Sequence, residues 1–167
     1  MTPSARSWLL AVDVGNSRVK FGLFDLAAGL DGLPELVESL AVAPDGTLPW
    51  SEIGGWLGEL SVEGPRGIVA GSHPAARDRV VEEWPGDWPA PRVLTDATAL
   101  GVQVGPTHPG QTGIDRLLNV LAVNHLTAGG RPAIIIDSGT ATTVDMVDAD
   151  GRFLGGAILL GFGLLAR

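Results

Sequence analysis

Three short stretches place carboxylates beside glycines and hydroxyl residues. The first is Asp13-Val14-Gly15-Asn16-Ser17, which follows the apolar run from Leu9 and leads through Arg18 and Val19 to Lys20. The second is Gly113-Ile114-Asp115-Arg116. The third is Asp137-Ser138-Gly139-Thr140-Ala141-Thr142, which follows Ile134-Ile135-Ile136. A carboxylate at a strand end can hold a hydrated Mg²⁺, a cation that takes one or two carboxylates and keeps several waters. A turn of small residues can aim backbone N–H groups at an anion, and a glycine lets a phosphate approach the backbone closely.

At the first stretch, the backbone N–H groups of Gly15, Asn16 and Ser17 are candidates to face a phosphate. Lys20 could neutralise its charge, and Asp13 could hold Mg²⁺ through water. The competing reading is a plain hairpin turn, where Asn and Gly are expected anyway. At the third stretch, Thr140 and Thr142 offer hydroxyls and Asp137 a cation ligand. One Asp-x-Gly turn is weak. Two copies, each ending an apolar strand and each followed by another strand, point to two related half-domains facing one nucleotide.

The second stretch opens a helix after Thr112, a possible cap. Asp115 falls near the positive end of that helix, where negative charge is stabilised. Within reach of a hydroxyl it could serve as general base in phosphoryl transfer, with Arg116 gripping a carboxylate or phosphoryl group through two donors. Spacing alone favours the plainer alternative of an ordinary acid at a helix start beside a solvated Arg. His73, His108 and His125 show no ligand spacing, and the five Trp read as packing residues.

Hydrophobic periodicity supplies the elements that would hold these stretches. Strands are expected at Leu9 to Val14, Val19 to Phe24, Leu36 to Val42, Gly67 to Ser72 and Pro91 to Leu94. A further short strand is possible at Val102 to Val104. Helices are expected from about Pro49 to Leu60, from Ala75 to Trp84, and from Gln111 until Gly129-Gly130 stops it. The run Ile134–Ile136 reads as a buried strand returning through Ala141 to Asp145, and Asp150-Gly151 as a hairpin turn into Phe153 to Leu159. Residues 1–96 then form one half-domain. Residues 97–167 form a linking segment, a helix and the start of a second. By analogy with the first half, further elements are expected beyond Arg167, so the sequence reads as C-terminally truncated.

Composition narrows the classes. Hydrophobic residues make up 45% and charged residues 18% of the 167 residues, which is a globular composition. A net charge of −8 argues against general affinity for nucleic acid or an anionic membrane. With no Cys, disulfides, thiolate metal sites and Cys nucleophiles are excluded. The apolar stretches at Trp8–Val12 and Phe153–Ala166 are too short for a membrane span, and a cytoplasmic location fits.

Taken together, Asp13-Val14-Gly15-Asn16-Ser17, Gly113-Ile114-Asp115-Arg116, Asp137-Ser138-Gly139-Thr140-Ala141-Thr142 and Gly155-Gly156-Ala157-Ile158 resemble, in order and spacing, the motifs of type III pantothenate kinases. The resemblance covers about residues 8 to 163. It implies a mixed α/β, ribonuclease-H-like (actin-like) duplicated fold of the acetate kinase, sugar kinase, Hsp70 and actin superfamily. It also implies ATP-dependent phosphorylation of pantothenate, the first step toward coenzyme A, in a cytoplasmic homodimer. On this resemblance, Asp13, Val14, Gly15, Asn16, Ser17, Arg18, Val19 and Lys20 bind ATP phosphates, and Thr140 contacts ATP. Gly113, Ile114, Asp115 and Arg116 contact pantothenate, with Asp115 as the base. Asp137 ligates a monovalent cation (K⁺ or NH₄⁺), and Mg²⁺ accompanies the nucleotide. The resemblance thus reverses the plainer reading of Asp115.

The sequence also departs from that pattern. The family's substrate-binding Tyr falls near Pro106 here, and this sequence contains no Tyr. The Pro-Gly expected after Gly-Gly-x-Ile is Leu160-Gly161. A non-catalytic or regulatory ATP-binding relative, or another small-molecule kinase of the superfamily, is the alternative that these departures keep open.

Overall fold

The apolar run Trp8–Val14 (β1) is a strand whose alternate residues make one fully packed face: Trp8, Leu10, Val12 and Val14 are buried, and Asp13 is exposed between the last two. Val19–Asp25 (β2) alternates in the same way and pairs antiparallel with β1, so that Asp13 stands across from Lys20 and Val14 across from Val19. The computed structural model describes residues 7–27, 33–95, 100–105, 112–127 and 130–161. These fall into two compact units, Met1–Leu94 and Thr95–Arg167.

In the first unit, Glu35–Val42 (β3) pairs with β2, Arg66–Gly71 (β4) runs parallel to β1, and Arg92–Leu94 (β5) parallel to β4. The sheet order is β3-β2-β1-β4-β5. Two helices contribute to its core. Trp50–Glu59 (α1) buries Ile53 and Leu57 at helical spacing, and Pro74–Glu82 (α2) buries Ala76 and Val80. His73 caps α2, its Nδ1 accepting the Ala76 N–H at 3.2 Å, and Pro74 takes the first helical position. The helix ends at Glu82, short of Trp84, because Pro85 lies just beyond. Trp84 instead meets Trp50 and Trp88 edge to face with ring centres 5.3 and 6.0 Å apart.

In the second unit, Ile114–Leu126 (α3) precedes Ala133–Ser138 (β6), Ala141–Val147 (β7) and Phe153–Leu160 (β8), an antiparallel sheet in the order β6-β7-β8. Leu117, Val120, Val147 and Phe153 form its core, with Leu100, Val102, Val104, Ala133 and Ile135 packed against them. Asp137 is the penultimate residue of β6 as Asp13 is of β1, so the strand–turn–strand pattern recurs with its carboxylate in the same place.

Several expectations are corrected. Helix α3 starts at Ile114 with Gly113 as its cap residue, and no side chain caps it, so Thr112 does not play that part. Gln111 and Gly129 lie outside the described residues, as do His108 and the position near Pro106. Val104 forms an isolated parallel bridge to Phe153 and not a strand over Val102 to Val104. The largest correction concerns β6. Ile134 and Ile136 are 70% and 68% exposed, and Met146, across from Ile134, is 50% exposed. Only the alternate residues Ala133 and Ile135 pack into the core, because among the described residues a single helix covers a single face of this sheet.

Candidate active site

The candidate residues of the first unit come together at the β1–β2 turn. Lys20 Nζ donates to Asp13 Oδ2 at 3.0 Å, and both side chains are more than half exposed. The direct cross-strand pairing of the two residues brings the charges together. The Gly15 N–H donates to the Arg18 carbonyl at 3.0 Å. That amide closes the turn and is not turned to an anion, which narrows the expected cradle. Asn16, Ser17 and Arg18 are exposed, whereas Val14 and Val19 are buried and anchor the turn to the core.

In the second unit the first turn of α3 faces β6 and β7. Asp115 is partly buried, and its Oδ1 accepts the backbone N–H of Arg116 at 2.9 Å. Glycine at 113 is what this carboxylate requires, since a Cβ there would collide with Asp115 Oδ1. One turn further along, Asn119 Nδ2 donates to Asp137 Oδ2 at 3.1 Å and ties the helix to the end of β6. Thr143 stands across the ladder from Asp137, and its buried Oγ1 has no hydrogen-bond partner among the described residues. Thr140 lies in the exposed turn between β6 and β7.

Arg116 turns inward. Its Nε donates to Asp145 Oδ1 at 2.9 Å and Oδ2 at 3.2 Å, and its Nη2 also donates to Oδ1. Asp145, on β7, is fully buried, and the Arg116 side chain is 14% exposed. The guanidinium carbon sits 5.3 Å from the centre of the Phe153 ring. The solvated Arg of the plainer reading is therefore replaced by a guanidinium already held on one edge.

Asp145 had no functional part in the sequence reading, which took it as the end of an apolar strand. A signal was there. Asp145 falls at a core-facing position, in alternation with Thr143 and Val147, and an acid there must be paired. The structure thus gathers Asp115, Arg116, Asp137 and the unforeseen Asp145 within the second unit, and Asp13 with Lys20 within the first.

Comparison with solved structures defines the class. An Aquifex aeolicus member of the Ppx/GppA protein family superposes over 96% of this chain and 54% of its own, with a TM-score of 0.50 at 14% identity. The fold is the mixed α/β, ribonuclease-H-like (actin-like) one that the family resemblance implies. The family model for type III pantothenate kinase matches residues 9–167, and the chain belongs to that family. Type III pantothenate kinases of Acidovorax ebreus (strain TPSY) and Paracidovorax citrulli (strain AAC00-1) are 39% and 36% identical over 95% of this chain. The chain spans about 61% and 62% of their lengths.

Proposed function

We propose that this protein phosphorylates pantothenate with ATP, giving 4'-phosphopantothenate, with Asp115 as general base. The observation that carries the reading is the juxtaposition of Asp115 with an anchored Arg116 on the first turn of α3, in a chain of this family. Asp115 accepts the proton of the substrate's primary hydroxyl. The hydroxyl oxygen then attacks the terminal phosphorus of ATP, the bond to the bridging oxygen breaks, and ADP leaves. Gly113 and Ile114 shape the helix entrance that receives the substrate. The exposed turn from Asp13 to Lys20 meets the ATP phosphates, with Lys20 exchanging its Asp13 partner for a phosphate oxygen. Thr140 contacts the nucleotide.

The chemistry of two sites fits cations that prefer oxygen. The carboxylate of Asp137 and the orphaned hydroxyl of Thr143 face each other across one ladder position, which suits a monovalent cation such as K⁺ or NH₄⁺. Asp13 suits water-mediated Mg²⁺. No cluster of three or more His, Cys, Asp or Glu occurs among the described residues, so Asp13 alone would take Mg²⁺ together with waters and phosphate oxygens. Such cations supply charge neutralisation at the phosphates. A cytoplasmic homodimer completes the reading. No helix among the described residues is long and apolar enough to cross a membrane.

The test is incubation of the gene's full-length product with ATP, Mg²⁺, K⁺ and pantothenate, followed by mass spectrometry and light scattering. A product heavier by one phosphoryl group, made by a dimer, is expected. ATP binding without phosphorylated product would turn the assignment toward a non-catalytic relative.

A further inference from the structure

Arg116 carries a full charge into a place where only 14% of its side chain meets solvent, and Asp145 meets it there with a carboxylate that is wholly buried. Asp145 engages the Nε and Nη2 edge of the guanidinium alone. Nη1 makes no hydrogen bond among the described residues. A guanidinium has five N–H donors in a planar fork, so one edge can be held by the protein while the Nη1/Nη2 edge receives a second pair of oxygens. The guanidinium carbon lies over the face of the Phe153 ring, a favourable cation–π contact. Gly156, across the ladder from Asp145, leaves the pair its room: a Cβ there would run into Asp145 Oδ1 and come within 2.9 Å of Arg116 Nη2.

We infer that Asp145 is a positioning residue: it fixes Arg116 by one edge so that the adjacent Nη1/Nη2 edge is presented, already oriented, to a pair of anionic oxygens. Those oxygens belong to the substrate carboxylate or to the transferred phosphoryl group. The inference rests on the proposed function for the identity of that anion, and on the geometry alone for the pairing. Asp145 itself touches no substrate. Its contribution is orientation, which matters because displacing a binding group by about an ångström can cost on the order of a hundredfold in rate.

The experiment joins a structural readout to a kinetic one in the full-length protein. By NMR, the Arg116 Nε–H is expected to give a slowly exchanging resonance that Asp145→Asn removes while the backbone amide spectrum is kept. In kinetics, Asp145→Asn is expected to lower kcat/KM for pantothenate by about tenfold to a hundredfold with the affinity for ATP unchanged. Pantothenyl alcohol, which lacks the carboxylate, separates the two anions. The defect disappears with it if the edge meets the carboxylate and persists if it meets the phosphoryl group. Unaltered kinetics in an Asp145→Asn protein of lowered Tm would reduce Asp145 to a structural partner and overturn the inference. Arg116→Lys covers the case of a variant that does not fold. It keeps a cation for Asp145 but lacks the second edge, so it should fold and show the same kinetic defect; full activity would contradict the inference. A wild-type protein that leaves pantothenate unmodified defeats the proposed function instead, and the Nε–H resonance still decides the pairing.

Discussion

Gly156 stands directly across the β7–β8 ladder from Asp145, and a side chain at 156 would fill the space that the Asp145 carboxylate and the Arg116 guanidinium occupy. Its neighbour Gly155 has φ +113°, a conformation that L side chains rarely adopt. The two glycines are thus required for different reasons, one conformational and one steric. Gly156→Ala should destabilise the second unit by about 1–3 kcal/mol, as overpacking does. Urea unfolding checks this, and a stabilised variant would show that the ladder can yield without loss of the ion pair.

The buried pair itself makes an asymmetric prediction. Removing one partner, as in Asp145→Leu or Arg116→Met, leaves a charge without compensation and should cost about 3–5 kcal/mol. Replacing both partners together should restore most of that loss, since well-packed apolar groups avoid the desolvation of two ions. A double-variant cycle in urea gives the coupling. Losses that simply add would mean that the two side chains do not depend on each other in solution.

The exposed Asp13–Lys20 pair should behave differently. Lys20→Met removes a surface contact and should leave the unfolding midpoint nearly unchanged, because exposed ion pairs contribute little. It should weaken ATP binding several-fold, measured by calorimetry, if Lys20 meets a phosphate. Unchanged ATP affinity would remove Lys20 from the nucleotide site.

Gly54 and Gly55 lie in α1 with open space around the position of a Cβ. Their replacement by Ala should stabilise the first unit by roughly 0.5–1 kcal/mol each, by lowering the freedom of the unfolded chain. Thermal unfolding reads this directly, and a lowered Tm would mean that the middle of the helix needs their flexibility.

Much of the fold could be read from alternation. In β2 every second residue is apolar, and in β1 an apolar run is broken at Asp13, so the two strands and the turn at Gly15 follow from the pattern. The three Ile residues of β6 defeated it. A continuous apolar run predicts burial on both faces, but among the described residues only the side toward α3 is covered. Leu117→Ala, in the core on that covered side, should cost about 2–5 kcal/mol, read by urea unfolding. The candidate site was legible as three motifs. The partner of Arg116 was not, because Asp145 lies 29 residues away along the chain and only the register of β6 with β7 brings it under α3.

The central claim is that Asp115 takes the proton from the substrate hydroxyl. Its most direct test is the rate of pantothenate phosphorylation by Asp115→Asn in the full-length protein, measured beside its ATP affinity. Turnover should fall by about a hundredfold to ten-thousandfold, the usual worth of a positioned general base, with ATP bound as tightly as by the wild type. Turnover within a few-fold of wild type would contradict the claim, and equal loss of turnover and ATP binding would assign Asp115 to the fold.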